Sequence, residues 1–216
     1  LLDFTELQKY FYTVSLTLAE KKSLPLYRRS IALDTIRFQI KSGLISPEEI
    51  YHLIDLSFEL LIDFEDENCE INEFCLISIL KNSVNNIISE DELFEYVTSI
   101  EEKALSSESP DVVSIGLLAI SILMVYCPNS FNSNQENEIK KLTTFLNSDQ
   151  PEKVQIAVLS TIQEANRMYQ LFPIVFPNLL LPFIFYSPNN EVSLNACIAF
   201  FDLSRIETFN NHELFQ

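Results

Sequence analysis

Val154-Gln155-Ile156-Ala157-Val158-Leu159-Ser160-Thr161-Ile162 is one of five variations on a single nine-residue theme. The others are Arg28-Arg29-Ser30-Ile31-Ala32-Leu33-Asp34-Thr35-Ile36, Ile71-Asn72-Glu73-Phe74-Cys75-Leu76-Ile77-Ser78-Ile79, Val112-Val113-Ser114-Ile115-Gly116-Leu117-Leu118-Ala119-Ile120 and Val192-Ser193-Leu194-Asn195-Ala196-Cys197-Ile198-Ala199-Phe200. Each carries a small residue (Thr35, Ser78, Ala119, Thr161, Ala199) seven places after its first, and a large apolar residue directly behind it. The motifs begin at 28, 71, 112, 154 and 192, at intervals of 43, 41, 42 and 38 residues. Stacked helices approach closely only where side chains are short, and a large neighbour fills the layer between them. A period near forty residues leaves room for two helices per unit.

Working outward from the motifs, the rest of the chain also reads as helix. Two glycines in 216 residues is too few for the tight turns and bulges of a sheet protein. Helix starts are written as Ser46-Pro47-Glu48-Glu49 and Ser89-Glu90-Asp91-Glu92, each a cap followed by a Glu at the third helical position. Ser109-Pro110 and Gln150-Pro151 place proline where its missing N–H costs nothing, Ser187-Pro188-Asn189-Asn190 is a turn ending in a cap, and Gly43 marks a stop. Apolar residues between these marks follow helical spacing, as in Ile50, Leu53, Ile54 and Phe58 to Leu61. The expected helices are 2–20, 26–42, 47–63, 69–86, 90–104, 110–126, 135–146, 151–168, 171–186 and 190–206.

Composition narrows the function classes. Hydrophobic residues make up 47% of the chain, enough to bury a sizeable core. No apolar run reaches the roughly 18–20 residues that span a bilayer; residues 171–186 come nearest and hold Pro173, Pro177 and Pro182, a buried helix broken by prolines. The net charge of −17 is unevenly placed. Residues 1–41 hold seven Lys/Arg against four Asp/Glu, 42–105 two against sixteen, and 106–216 five against eleven. Phosphate backbones need cations to displace counterions, so most of this chain repels nucleic acid and favours a basic protein partner. Cys69, Cys75, Cys127 and Cys197 form no Cys-x-x-Cys pair and read as free, buried thiols in a reducing compartment. His52 and His212 stand apart without ligand-like neighbours, which argues against zinc. No Gly-rich phosphate loop, Gly-x-Ser-x-Gly elbow or His-Glu-x-x-His is present, so no catalytic residue, cofactor or metal is expected.

The motif openings Ser109-Pro110-Asp111-Val112-Val113-Ser114, Asp149-Gln150-Pro151-Glu152-Lys153-Val154-Gln155 and Ser187-Pro188-Asn189-Asn190-Glu191-Val192-Ser193 resemble armadillo and HEAT repeats, and the resemblance runs from about residue 24 to 206. It implies an all-α, right-handed α–α superhelix (a solenoid) of about ten helices in five repeats, residues 1–216 forming one array cut from a larger protein. It implies a protein-interaction scaffold, cytoplasmic or nuclear, that holds a partner protein or peptide along a groove lined by the motif helices. The acidic armadillo groove of importin-α uses a Trp six places after the motif's first residue and an Asn ten places after it. Here the six-place residues are Asp34, Ile77, Leu118, Ser160 and Ile198, the ten-place residues are Phe38, Lys81, Ile122, Glu164 and Asp202, and the chain has no Trp. That ladder is absent, and Asp34, Phe38, Lys81, Glu164 and Asp202 are the candidate partner-binding positions in its place. The acidic run 63–70 reads as a solvated inter-helix loop. Lys21, Lys22, Arg28, Arg29, Arg37 and Lys41 form the opposite pole, a contact for an acidic protein or a lipid head group; Arg28 and Arg29 would carry it in a trafficking or nuclear-transport adaptor. A regulatory subunit clamping an enzyme is the remaining reading.

Overall fold

A computed structural model describes residues 4–40, 45–62, 69–84, 86–169 and 176–204, without the side chains of 37, 38, 69–74, 166–169, 176, 177, 203 and 204. The described residues are helical almost throughout and contain no strand beyond one isolated Val84–Ile88 bridge. The helices are α1 (Phe4–Glu20), α2 (Leu26–Ile40), α3 (Pro47–Ile62), α4 (Cys69–Ser83), α5 (Glu90–Leu105), α6 (Pro110–Tyr126), α7 (Pro128–Phe145), α8 (Glu152–Tyr169), α9 (Phe176–Tyr186) and α10 (Asn190–Ser204). The five motifs lie on α2, α4, α6, α8 and α10. The chain divides into two compact units, Leu1–Tyr96 and Val97–Gln216.

The starts follow from local chemistry. Before α3, the Ser46 N–H donates to Glu49 Oε2 at 2.7 Å while the Glu49 N–H donates back to Ser46 Oγ at 3.4 Å. Ser89 and Glu92 make the same reciprocal pair before α5, at 2.9 and 3.3 Å. These are capping boxes, satisfying helix N–H groups that have no carbonyl behind them. Asn189 Oδ1 accepts from the Glu191 and Val192 N–H groups to open α10. Gly43 lies outside the described residues.

Two boundaries depart from expectation. The seventh helix begins at Pro128, not at 135. The Asn/Ser run that reads as a turn is helical because Pro128 occupies the first turn, Phe131 is buried, and Ser133 and Asn134 side chains donate to the carbonyls four residues back. The fourth ends at Ser83, short of 86, where the Ser83 carbonyl accepts from Asn86, Ile87 and Ile88 and turns the chain.

In the first unit α1 packs on α2, α2 on α4, and α3 on α4. In the second, α6 packs on α8 and α8 on α10, while α7 touches α6 and α8, and α9 touches α10. Within each unit, motif helices therefore lie against the next motif helix. Lys153 and Asp111, each one place before its motif, pair at 2.6 Å between α8 and α6. Thr161, seven places into its motif, donates to the carbonyl of Leu117, five places into the preceding one, at 3.2 Å. Gln163 Nε2, nine places in, reaches the carbonyl and Oδ1 of Asn195, three places into the next, at 3.0 and 3.1 Å. The five-place leucines Leu33, Leu76, Leu117 and Leu159 are fully buried, as are the eight-place isoleucines Ile36, Ile79, Ile120 and Ile162.

Four places into the motifs stand small or medium residues, Ala32, Cys75, Gly116, Val158 and Ala196, all buried. Leu105, the last residue of α5, lies against Gly116. A Cβ there would lie 2.8 Å from Leu105 Cδ2 and 3.1 Å from the Leu105 backbone nitrogen. Buried serines keep the cores satisfied by donating to the carbonyl four residues back: Ser30 to Leu26, Ser57 to Leu53, Ser83 to Ile79.

Candidate functional site

The six-place row stays accessible. Asp34, Ile77, Leu118, Ser160 and Ile198 are each exposed or half-buried, whereas the residues at places five and eight before the last motif are fully buried. In the second unit the row runs Leu118, Ser160, Ile198 across α6, α8 and α10, with exposed Glu164 and half-buried Asp202 one turn further along. Ile122, the ten-place residue between them in the pattern, is buried. Burial and then the Glu164 carboxylate hold the Tyr126 hydroxyl above its ordinary pKa. The row is an apolar and hydroxyl strip bordered by acid, chemistry suited to an amphipathic basic segment.

In the first unit the row is interrupted. Asp34 is half-buried and accepts from the Cys75 thiol at 3.6 Å, a contact between α2 and α4. Lys81 is exposed in the last turn of α4, where a cation also complements the helix dipole. The Phe38 side chain lies outside the described residues, as does the acidic run 63–70 apart from the helical backbone at its end.

The basic pole divides between neighbouring residues. Arg28 is exposed, its guanidinium 5.7 Å from the Tyr27 ring centre and its Nε donating to the Tyr27 hydroxyl at 3.0 Å. Arg29 is only 3% exposed. Its Nε donates to the Ala19 carbonyl at 2.7 Å, closing the end of α1, and its Nη2 reaches Glu59 of α3 at 3.2 Å. Lys22 meets the same Glu59 oxygen at 3.0 Å, and these cations hold the Glu59 carboxyl below its usual range. Arg29 is thus turned inward and joins three helices; it does not present a surface with Arg28. Successive helical residues point about 100° apart, so two adjacent arginines can face different surroundings. The Arg37 side chain and Lys41 are outside the described residues.

A charged cluster absent from the sequence reading lies in the second unit. Lys141 Nζ stands 2.7 Å from Glu101 Oε1 and 2.8 Å from Glu138 Oε1. The Glu138 contact has hydrogen-bond alignment; the Glu101 contact has ion-pair distance only. Glu101 is 0% exposed and Glu138 1%. Burial, and then the Glu138 charge, push the Glu101 carboxyl up to about 7 against the pull of Lys141. The Glu138–Lys141 spacing, three residues apart, is a helical pair visible in the sequence. Glu101 comes from α5, and only packing brings it there. A cavity of about 270 Å³, lined by Ser148, Gln155, Pro182, Phe183, Tyr186, Ser187 and Pro188, includes none of the three charged residues.

His52 pairs with Glu20 at 2.6 Å, and no group of three His, Cys, Asp or Glu suited to a metal ion occurs among the described residues. Cys75 and Cys127 are buried thiols outside any disulfide, as expected. Cys197 is free but exposed, which corrects the expectation of a buried thiol: α10 has no later motif helix against that face among the described residues. No helix among the described residues is long and apolar enough to cross a membrane. No protein-family model matches the chain, and a search of curated proteins finds no match.

Proposed function

We propose that this chain is a non-catalytic binding scaffold of the armadillo/HEAT kind, a right-handed solenoid that holds a partner protein on the outward row of its motif helices. The reading rests on one observation: within each unit consecutive motif helices lie on one another, with Lys153 meeting Asp111 in the second, and leave the six-place row accessible. A stack built this way offers a continuous ridge whose side chains repeat at fixed spacing, so recognition of an extended or helical segment is the natural use. Leu118, Ser160, Ile198 and Glu164 carry it in the second unit, and the acid beside them selects a basic, amphipathic segment.

The test uses the chain as bait, with bound proteins quantified by mass spectrometry against two variants. One carries Leu118→Arg, Ser160→Arg and Glu164→Lys; the other carries Thr143→Arg, at an exposed position on α7. The reading expects a partner set lost from the first variant and kept by the second, with both variants melting as the parent does. Retention that ignores the row substitutions, or no retained protein at all, overturns it. Raised salt should weaken the contact if the Glu164 side contributes, because exposed charges are screened within about 10 Å at 0.1 M.

A further inference from the structure

The cavity of about 270 Å³ lies inside the second unit, between the start of α8 and the end of α9. Its apolar walls are rings. Pro182, Phe183 and Tyr186 come from the last two turns of α9, and Pro188 follows that helix. Phe183 is buried, whereas the Tyr186 ring is 84% exposed and stands edge-on to the exposed Phe185 ring at 6.5 Å. No lining residue carries a charge, and the polar ones have committed their donors. Gln155 Nε2 donates to the Ser148 and Gln150 carbonyls at 3.0 and 2.6 Å, which uses its hydrogens and leaves Oε1 as the amide's acceptor. The Ser187 hydroxyl donates to the Asn189 carbonyl at 3.3 Å.

The surroundings are electronegative. Exposed Glu152 stands three residues before Gln155, on the same side of α8, and exposed Asp149 adjoins Ser148. The end of α9 is the negative pole of that helix, and Pro188 brings no N–H to its last carbonyls. The positive pole at the start of α8 is met by Glu152 itself, and the nearby cation Lys153 is held by Asp111 at 2.6 Å. Ring faces, acceptors and an acidic rim together fit a flat cation rich in N–H groups. We propose that this cavity binds the guanidinium group of an arginine side chain on a partner protein. The group stacks on Tyr186, with its donors toward the Gln155 amide oxygen and the acidic rim. Arg28 makes a contact of this kind inside the chain, 5.7 Å from the Tyr27 ring centre with Nε donating to the hydroxyl. A proline or another neutral ring would gain nothing from the acid, and an ammonium has no flat face to stack. The site is separate from the six-place row and does not rest on it.

The test titrates the whole isotope-labelled chain with N-acetyl-arginine methylamide and follows it by NMR. Saturable shifts are expected at the Gln155 side-chain amide and at the Ser148, Tyr186 and Ser187 N–H groups. The matching citrulline probe keeps the shape and the N–H groups but lacks the charge, and the lysine probe keeps the charge but lacks the plane. Each should bind about tenfold more weakly. Tyr186 is exposed, so Tyr186→Ala should keep the fold and lose the saturable shifts, while Tyr10→Ala, at an exposed position on α1, should keep them. Asp149→Asn with Glu152→Gln should weaken binding severalfold without touching the cavity wall.

No saturable shift at these groups, equal binding of the citrulline or the lysine probe, or binding that survives Tyr186→Ala overturns the proposal. Glu164→Gln, on the row, should leave the affinity unchanged; a loss there would assign the binding to the row instead. Free L-arginine is the other source of the same group. Its own carboxylate would face Asp149 and Glu152, so it should bind more weakly than the capped probe. Tighter binding would make the cavity a small-molecule site and overturn the part given to a partner protein.

Discussion

Lys141 stands between two carboxylates that have almost no contact with water, and its removal has a defined consequence. Lys141→Met leaves Glu101 and Glu138 buried side by side without a counter-charge, a change that costs about 3–5 kcal/mol in comparable settings; chemical denaturation should show a loss of that size. Glu101 also sets a pH dependence. In the unfolded chain it ionises at the ordinary carboxylate value of 4.5, in the folded chain only at about 7. Between those values the folded state holds the extra proton, so this residue's contribution to stability is full below 4.5 and falls as pH rises through the window. Glu101→Gln should flatten that fall and raise the melting temperature at pH 8; an unchanged pH profile would remove Glu101 as its source. At Gly116 the neighbouring Leu105 leaves no space, and its backbone cannot yield as a side-chain tip can. Gly116→Ala should therefore cost about 1–3 kcal/mol as an overpacked contact, read by thermal melting. Apart from the Glu138–Lys141 spacing, none of this was legible in the sequence, because each effect depends on which helix lies opposite. The same holds for Arg28 and Arg29: the pair looks alike in the chain, and only α1 and α3 decide that Arg29 closes the Ala19 carbonyl while Arg28 meets solvent.

Helix starts were more legible than single residues, since a cap is a local device. Ser46 with Glu49 and Ser89 with Glu92 form the reciprocal bonds that their spacing implies. The bonds from Ser89 also hold the Glu92 carboxyl below its usual range. Ser89→Ala should lower stability by about 1 kcal/mol, the usual worth of an N-cap, and should return Glu92 toward ordinary titration, which carboxyl NMR would follow; an unmoved Glu92 would deny the cap. The start of α7 was illegible for a physical reason. Asn and Ser compete with the backbone for hydrogen bonds and so read as turn, but on α7 their side chains bond the helix's own carbonyls. Cys127 ends α6 by donating its N–H to the Leu123 carbonyl and starts α7 by accepting from Phe131. One residue therefore serves both helices, and no loop composition announces the break.

For the molecule as a whole, the period near forty residues carried the helical architecture, because the first four motifs place large apolar residues at places five and eight, where motif helices lie on one another. The candidate row was legible as a set of places, and its chemistry was not: burial of Ile122 and the inward role of Asp34 beside Cys75 follow from local packing. The claim on which the account turns is that both units use one register. In the second unit, place five of α6 touches place seven of α8. The equivalent pair in the first unit is Leu33 of α2 and Ser78 of α4. Leu33→Cys with Ser78→Cys, oxidised and mapped by mass spectrometry, measures this directly. The account predicts an intrachain disulfide between residues 33 and 78 as readily as between Leu117→Cys and Thr161→Cys. Closure of the second pair with the first left open would contradict a shared register, and with it the repeat array.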